Sequence, residues 1–134
     1  MIDVNNEVFT TVAKVVRDSH PGVTVVGENT RKPSKFPAVT IDESENVMVD
    51  QLEDSSKEEK FAGVTYKLQV FSNKQSGKKA EARAIFATAD AVMRQLGFQR
   101  VTFTTTPEIY ESTVYQITAT YEAVVSAAGY VYKR

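Results

Sequence analysis

The sequence contains no cysteine and no tryptophan, and its 134 residues include only six glycines, four prolines and one histidine. The lack of cysteine excludes disulfide bonds and thiolate metal sites. No apolar run approaches the roughly 20 residues that a membrane-spanning helix needs. Residues 2–6 lack the basic and apolar regions of a secretory signal peptide. We therefore expect an intracellular, soluble protein that forms a single domain over residues 1–134 and has no membrane partner.

Residues that commonly carry catalysis are also scarce. His20 is the single histidine, and it lies in the helix-breaking sequence His20-Pro21-Gly22, where a solvent-exposed turn residue is expected. Glycine-rich phosphate-binding loops and the G-x-S-x-G motif are missing. Adjacent acidic residues do occur, but neighbours on a strand point to opposite faces of a sheet. We therefore predict no catalytic residues, no cofactor and no metal site, and a protein that is not an enzyme.

One acidic stretch partly matches a calcium-binding loop. Five oxygen-bearing residues fall at positions 1, 3, 5, 9 and 12 of the EF-hand template: Asp42, Ser44, Asn46, Asp50 and Glu53. The sixth position, where the turn requires glycine, holds Val47. The flanking sequences are typical of strands rather than helices. We interpret the match as coincidence within an acidic segment.

Two segments have the spacing of amphipathic helices. In the first, apolar residues recur at Val4, Val8, Val12 and Val15, and the turn at residues 20–22 ends the pattern. The second covers residues 78–96 and is followed by Gly97, which suits the left-handed position that closes a helix. Because valine is a poor helix former, the first helix needs to pack against a sheet. Asp3 or Asn5 can cap its first amide groups.

The remaining apolar patterns predict strands. They are a short strand over 23–27, a strand over 38–43 that resumes at 47–49, and longer strands over 61–72, 98–106 and 114–126. This order predicts an α+β fold, a two-layer sandwich in which the N-terminal helix and one long helix pack on one face of a mainly antiparallel sheet. The short strand over 23–27 is our candidate for a sheet edge.

Charge is distributed unevenly along the chain. Residues 42–59 hold eight acidic residues and one lysine, a net charge of −7, although the whole chain carries −1. We predict a mobile acidic loop over 44–60, with five candidate interaction residues: Asp50, Glu53, Asp54, Glu58 and Glu59. Such a split favours head-to-tail contact between identical copies. The alternative is a disordered acidic loop that has no partner.

The layout of these elements resembles that of tail terminator, or tail-completion, proteins of long-tailed bacteriophages, including the tail-to-head joining type. The resemblance covers nearly the whole chain and lies in the order of its parts. These are the N-terminal helix, the loop and strand over 35–41, the acidic loop, the strand over 63–71, the helix over 78–96 and two closing strands.

This resemblance implies a non-enzymatic virion structural protein, assembled in the host cytoplasm and located where the tail meets the head. It implies a homo-hexameric ring that caps the tail tube and joins the tail to the head connector, from subunits that can be monomeric in solution. Its partners would be other copies of itself, the major tail tube protein and the head-completion or connector protein. DNA would only pass through the ring. The alternative is a small α+β module that binds a ligand or nucleic acid, although a net charge of −1 argues against a broad phosphate-binding face.

Overall fold

The computed structural model describes residues 2–48, 61–105, 113–126 and 131–132. Two helices and six strands follow one another in these ranges: α1 (Asn5–Ser19), β1 (Thr24–Val26), β2 (Ala38–Met48), β3 (Phe61–Ser72), α2 (Lys78–Gln95), β4 (Gln99–Thr105), β5 (Tyr115–Ser126) and β6 (Val131–Tyr132). The predicted helices and long strands are confirmed, and most of their ends lie within two residues of the predicted ones. Strand β6 was not predicted.

All six strands form one sheet, in the order β1-β2-β3-β5-β4, with β6 also paired to β5. Only the β1–β2 pair is parallel, and the other pairs are antiparallel. The two helices contribute their buried residues to the same core as the inner face of the sheet. The predicted α+β sandwich, with helices on one face of a mainly antiparallel sheet, is therefore confirmed.

The core lies between the helices and this inner face. Val12 and Val16 of α1 are fully buried, as the packing of a valine-rich helix requires. On β3 and β5 every second residue points inward, and the largest of these, Tyr66 and Tyr121, are also fully buried. Burial of these side chains supplies most of the driving force that holds the two layers together.

The predicted residues at the start of α1 and after the end of α2 take the expected roles. The carboxylate of Asp3 accepts a hydrogen bond from the backbone amide of Asn5 at 2.9 Å. Gly97, which follows α2, adopts the left-handed conformation with φ 97°. His20 differs from the expectation of a solvent-exposed turn residue, because it is partly buried. Its Nε2 lies 2.8 Å from Oγ1 of Thr88, which ties the end of α1 to α2.

Strand β2 corrects two boundaries. It runs without interruption from Ala38 to Met48, with a register shift between Glu43 and Glu45. Residues 44–48 of the predicted mobile loop therefore belong to a strand, and its other residues, 49–60, lie outside the described ranges. The first half of the calcium-loop template is likewise extended strand rather than the turn that an EF-hand requires.

The connection from β1 to β2 crosses the face of the sheet that the helices leave open. The amide of Thr30 and the hydroxyl of Thr40 both donate to Oε1 of Gln69, at 3.0 and 2.6 Å. Asn29 donates to Oγ1 of Thr40 at 3.0 Å and to the carbonyl of Lys67 at 3.1 Å. Since Gln69 and Thr40 are buried, this network fixes the crossover and holds β1 beside β2.

We predict that Gln69→Met lowers the free energy of unfolding by about 1–3 kcal/mol, because it leaves the partly buried amide of Thr30 and the buried hydroxyl of Thr40 without their acceptor. Urea denaturation followed by circular dichroism measures the change. The control is Gln95→Met, the same substitution at an exposed position of α2, where we expect little effect. Equal stability of the two variants would contradict this role of Gln69.

Candidate interaction surface

The exposed large hydrophobic side chains of the described residues all lie along the two edges of the sheet. Val26, Val47 and Met48 follow one edge, and Val101 and Phe103 lie on the other, with 37% to 52% of each side chain exposed. Single exposed apolar residues are normal on a protein surface. Their restriction to both edges points to those edges as surfaces that another protein covers.

Strand β4 forms one of these edges. Each of its seven residues is exposed, and among the described residues no strand lies on its outer side. Alternate backbone amides and carbonyls therefore point outward without a strand to receive them. The strand contains no lysine and no proline, which commonly prevent an edge from pairing; its one charged residue, Arg100, lies beside a register shift that ends at Thr102. It is suited to receive a further strand.

Aromatic and cationic groups surround the exposed apolar side chains of β4. The ring of Phe103 meets that of Phe86 edge to face, with centroids 5.0 Å apart. The guanidinium of Arg83 lies 5.4 Å from the Phe103 ring centre, and that of Arg100 lies 6.0 Å from the Phe86 ring centre. A cleft of about 690 Å³ next to this strand is also lined by Arg94. We call Arg83, Arg94, Arg100, Val101 and Phe103 together the basic edge.

A partly buried carboxylate positions one of these cations. Oδ1 of Asp90 accepts from Nη1 of Arg100 at 3.0 Å and from the hydroxyl of Tyr121 at 2.7 Å. Burial raises the pKa of Tyr121, and its hydrogen bond to Asp90 raises it further. The hydroxyl therefore remains a donor, and Asp90 matches the charge of Arg100. The net positive charge of the basic edge comes from Arg83 and Arg94, which make no ion pair with described residues.

The opposite edge is acidic. Strand β1 pairs only with residues 38–40 of β2, so the outer side of residues 41–48 has no strand beside it within the described ranges. This stretch carries Asp42, Glu43 and Glu45, together with the exposed Val47 and Met48. We call these five residues the acidic edge. The two edges of one sheet therefore have opposite charge.

Glu43 is a partly buried carboxylate of the acidic edge. Burial raises its pKa and the charges of Asp3 and Asp42 raise it further, whereas hydrogen bonds from Asn46 and Tyr66 offset only part of this rise. The hydroxyl of Tyr66 lies 3.5 Å from Oε2 of Glu43 and 3.2 Å from Oδ1 of Asn5. A cation supplied by another molecule would relieve this concentration of negative charge.

The predicted edge strand, β1, is an edge, but a protected one. It has three residues, and the amide of Thr24 points towards β2, where it donates to the carbonyl of Pro37. Nη2 of Arg17 donates to the carbonyl of Val25 at 3.2 Å, which occupies an acceptor of this short strand. The neighbouring part of β2 and the whole of β4 are therefore better suited to pairing than β1.

The five predicted interaction residues, Asp50, Glu53, Asp54, Glu58 and Glu59, lie outside the described residues. The charge split is visible in the sequence, but the basic edge is not, because a strand pattern around Phe103 does not show that its ring lies beside Arg83. Within the described residues, no group of three or more histidine, aspartate and glutamate side chains could hold a metal ion. None of the helices described combines the length and the apolar character that crossing a membrane requires.

Comparison with known proteins adds no assignment to this geometry. No protein-family model matches the chain, and no curated protein matches it.

We predict that Glu43→Gln stabilises the protein at neutral pH. The protonated carboxyl is favoured in the fold, so its stabilising effect is complete below its ordinary value of 4.5 and is lost as the pH rises through the raised pKa. Glutamine stays neutral, so the gain over the original protein should be present at neutral pH and should disappear below pH 4.5. Thermal unfolding across this range measures it.

Glu45→Gln is the matched control, since it removes the same charge from an exposed position of the same strand. We expect a smaller gain from this variant. Equal gains from the two variants, or a gain at Glu43 that is constant with pH, would show that burial of Glu43 has no such effect.

Proposed function

We propose that this chain is a virion structural protein that acts without catalysis, as a tail terminator of a long-tailed bacteriophage. In this proposal it caps the end of the tail tube as a ring and joins the tail to the head connector. The observation that carries the proposal is the placement of opposite charge and all exposed large apolar side chains of the described residues on opposite edges of one sheet.

Opposite edges that differ in charge favour a contact in which one surface of a copy meets a different surface of the next. Such heterologous contacts close into rings when the rotation between copies permits, and otherwise continue as filaments. A ring built in this way uses the edges of each subunit as its working surfaces. It requires no convergent catalytic site, which agrees with a function of assembly.

The predicted acidic segment would act at the ends or the channel of such a ring. DNA carries a dense array of phosphates, so an acidic channel would repel it and keep it from adhering during passage. The same charges could instead meet a basic surface of the connector. In both cases the role is electrostatic and depends on the number of acidic residues between 50 and 59.

Mixing the protein with purified tail tubes tests the capping function. We expect light scattering to show that tubes stop elongating, and electron microscopy to show a ring at one end of each tube. The control is Ala84→Lys, a charged substitution at an exposed position on the outside of α2, away from both edges, which should still cap. Tubes that elongate unchanged while the protein binds a small ligand or nucleic acid would favour the alternative function.

Neutralising the acidic segment tests joining separately. We predict that changing Asp50, Glu53, Asp54, Glu58 and Glu59 together to their amides leaves the circular dichroism spectrum unchanged but lowers the yield of joined heads and tails. A control with Glu7→Gln and Asp18→Asn removes exposed charge from α1 instead and should assemble normally. An unchanged yield of infectious particles would reject this role of the segment.

A further inference from the structure

We infer that two copies of this chain join by sheet continuation, with the basic edge of one copy placed against the acidic edge of the next. The paired strands are β4 of the first copy and residues 41–48 of β2 in the second. This inference deepens the proposed function, since it identifies the contact through which copies would assemble, but it can be tested without a tail tube.

Strand direction permits this pairing. β4 is antiparallel to β5, β5 to β3 and β3 to β2, so β4 and β2 run in opposite directions. A second copy set beside the first with its helices on the same face therefore presents β2 antiparallel to β4. No strand needs to be reversed and no helix needs to move to the other side of the sheet.

The position of β1 sets the offset between copies. Through the pairings across the sheet, β4 stands level with residues 39–45 of β2, whereas β1 already occupies residues 38–40. The second copy must therefore shift along the strands by two residues, or about 7 Å, before β4 meets only the uncovered part of β2. A constant shift between neighbouring strands is also what a sheet needs in order to close into a ring.

Charge and apolar contacts agree with this arrangement. The side chain of Phe103 lies on the helix-covered side of the sheet, where its ring meets Phe86 of α2 and the guanidinium of Arg83. Glu43 lies on the same side in the second copy, next to the hydroxyl of the inward-facing Tyr66. The contact would bring a guanidinium towards a carboxylate that lacks a cation among the described residues. It would also cover Val101 and Phe103 of one copy and Val47 of the other.

The same charges disfavour the symmetric alternatives. Pairing β4 with β4 would bring Arg83 and Arg94 of both copies together, and pairing β2 with β2 would bring together Asp42 and Glu43 of both copies. Juxtaposed like charges weaken association and select against such partners. The heterologous contact is the one in which each edge meets its complement.

Two edge-blocked variants test the inference. Val101→Lys with Phe103→Lys places lysines on β4, and Val47→Lys with Met48→Lys places them on β2, where charged residues on an edge prevent pairing. Because these positions are exposed, both variants should fold, and circular dichroism checks this. Analytical ultracentrifugation at low ionic strength then compares each variant alone, the two mixed, and the original protein over a range of concentrations.

We expect the original protein to self-associate, each blocked variant to associate at least roughly tenfold more weakly, the change that 1.4 kcal/mol produces, and their mixture to stop at a one-to-one dimer. Raising the ionic strength should weaken that dimer. The mixed dimer joins the unblocked β2 edge of the first variant to the unblocked β4 edge of the second. A blocked variant that still dimerises alone, a mixture that stays monomeric, or an original protein that stays monomeric at every concentration would each overturn the inference.

Chemical cross-linking gives a second test, in which the variants keep both edges and are still expected to associate. The chain has no cysteine, so Thr104→Cys and Glu45→Cys each introduce a single thiol, one on each edge. A bis-maleimide should link the mixed variants more than either variant alone, whereas Ala84→Cys on the outside of α2 should link with neither. Equal linking in all mixtures would contradict the contact. Tubes that are capped by a protein lacking this contact would leave the proposed function standing, whereas an original protein that associates through this contact but caps no tube would leave the inference standing and contradict the proposed function.

Discussion

The pairing of β3 with β5 is the interaction on which the rest of this structure depends. The two strands pair over twelve positions, from Phe61 with Ser126 to Ser72 with Tyr115. This ladder brings together segments that α2 and β4 separate in the chain, and it puts the inward residues of both strands on one face. The buried side chains of Tyr66 and Tyr121 then form part of the inner face of the sheet, against which the helices pack. β2 and β4 are consequently placed on the outer sides of the central pair.

The dimensions of the two layers explain why the inward-facing Phe103 remains partly exposed at one edge. A helix with its side chains is about 10 Å wide, so two helices cover about 20 Å, which is the width of roughly four strands spaced 4.8 Å apart. The path β1-β2-β3-β5-β4 has five strands. The helices therefore cover the centre of the sheet and leave β4 only partly protected, with Phe103 touching Phe86 but still 37% exposed. A side chain that would be core in a wider layer becomes surface here.

Polar groups stabilise the boundaries of this arrangement rather than its centre. At one edge of the sheet, Gln69 accepts the hydrogen bonds that fix the connection between β1 and β2. At the other edge, Asp90 accepts a hydrogen bond from Arg100 at the start of β4. His20 connects the end of α1 to Thr88 in the middle of α2. Each of these contacts joins residues far apart in the sequence, so each limits how the layers can shift and keeps the two edges in a defined relation.

The sequence by itself determined the two helices, the long strands and the faces that they bury, because these depend on the periodicity of neighbouring residues. It also showed the charge split, which requires only counting. It did not determine that β2 continues through Ser44, that β1 is protected by Arg17, or that Phe103 is exposed while Phe98 is buried. Only the tertiary structure decided these features. The identity of an edge strand depends on which distant segments pair with the central strands and how far the helices reach across them.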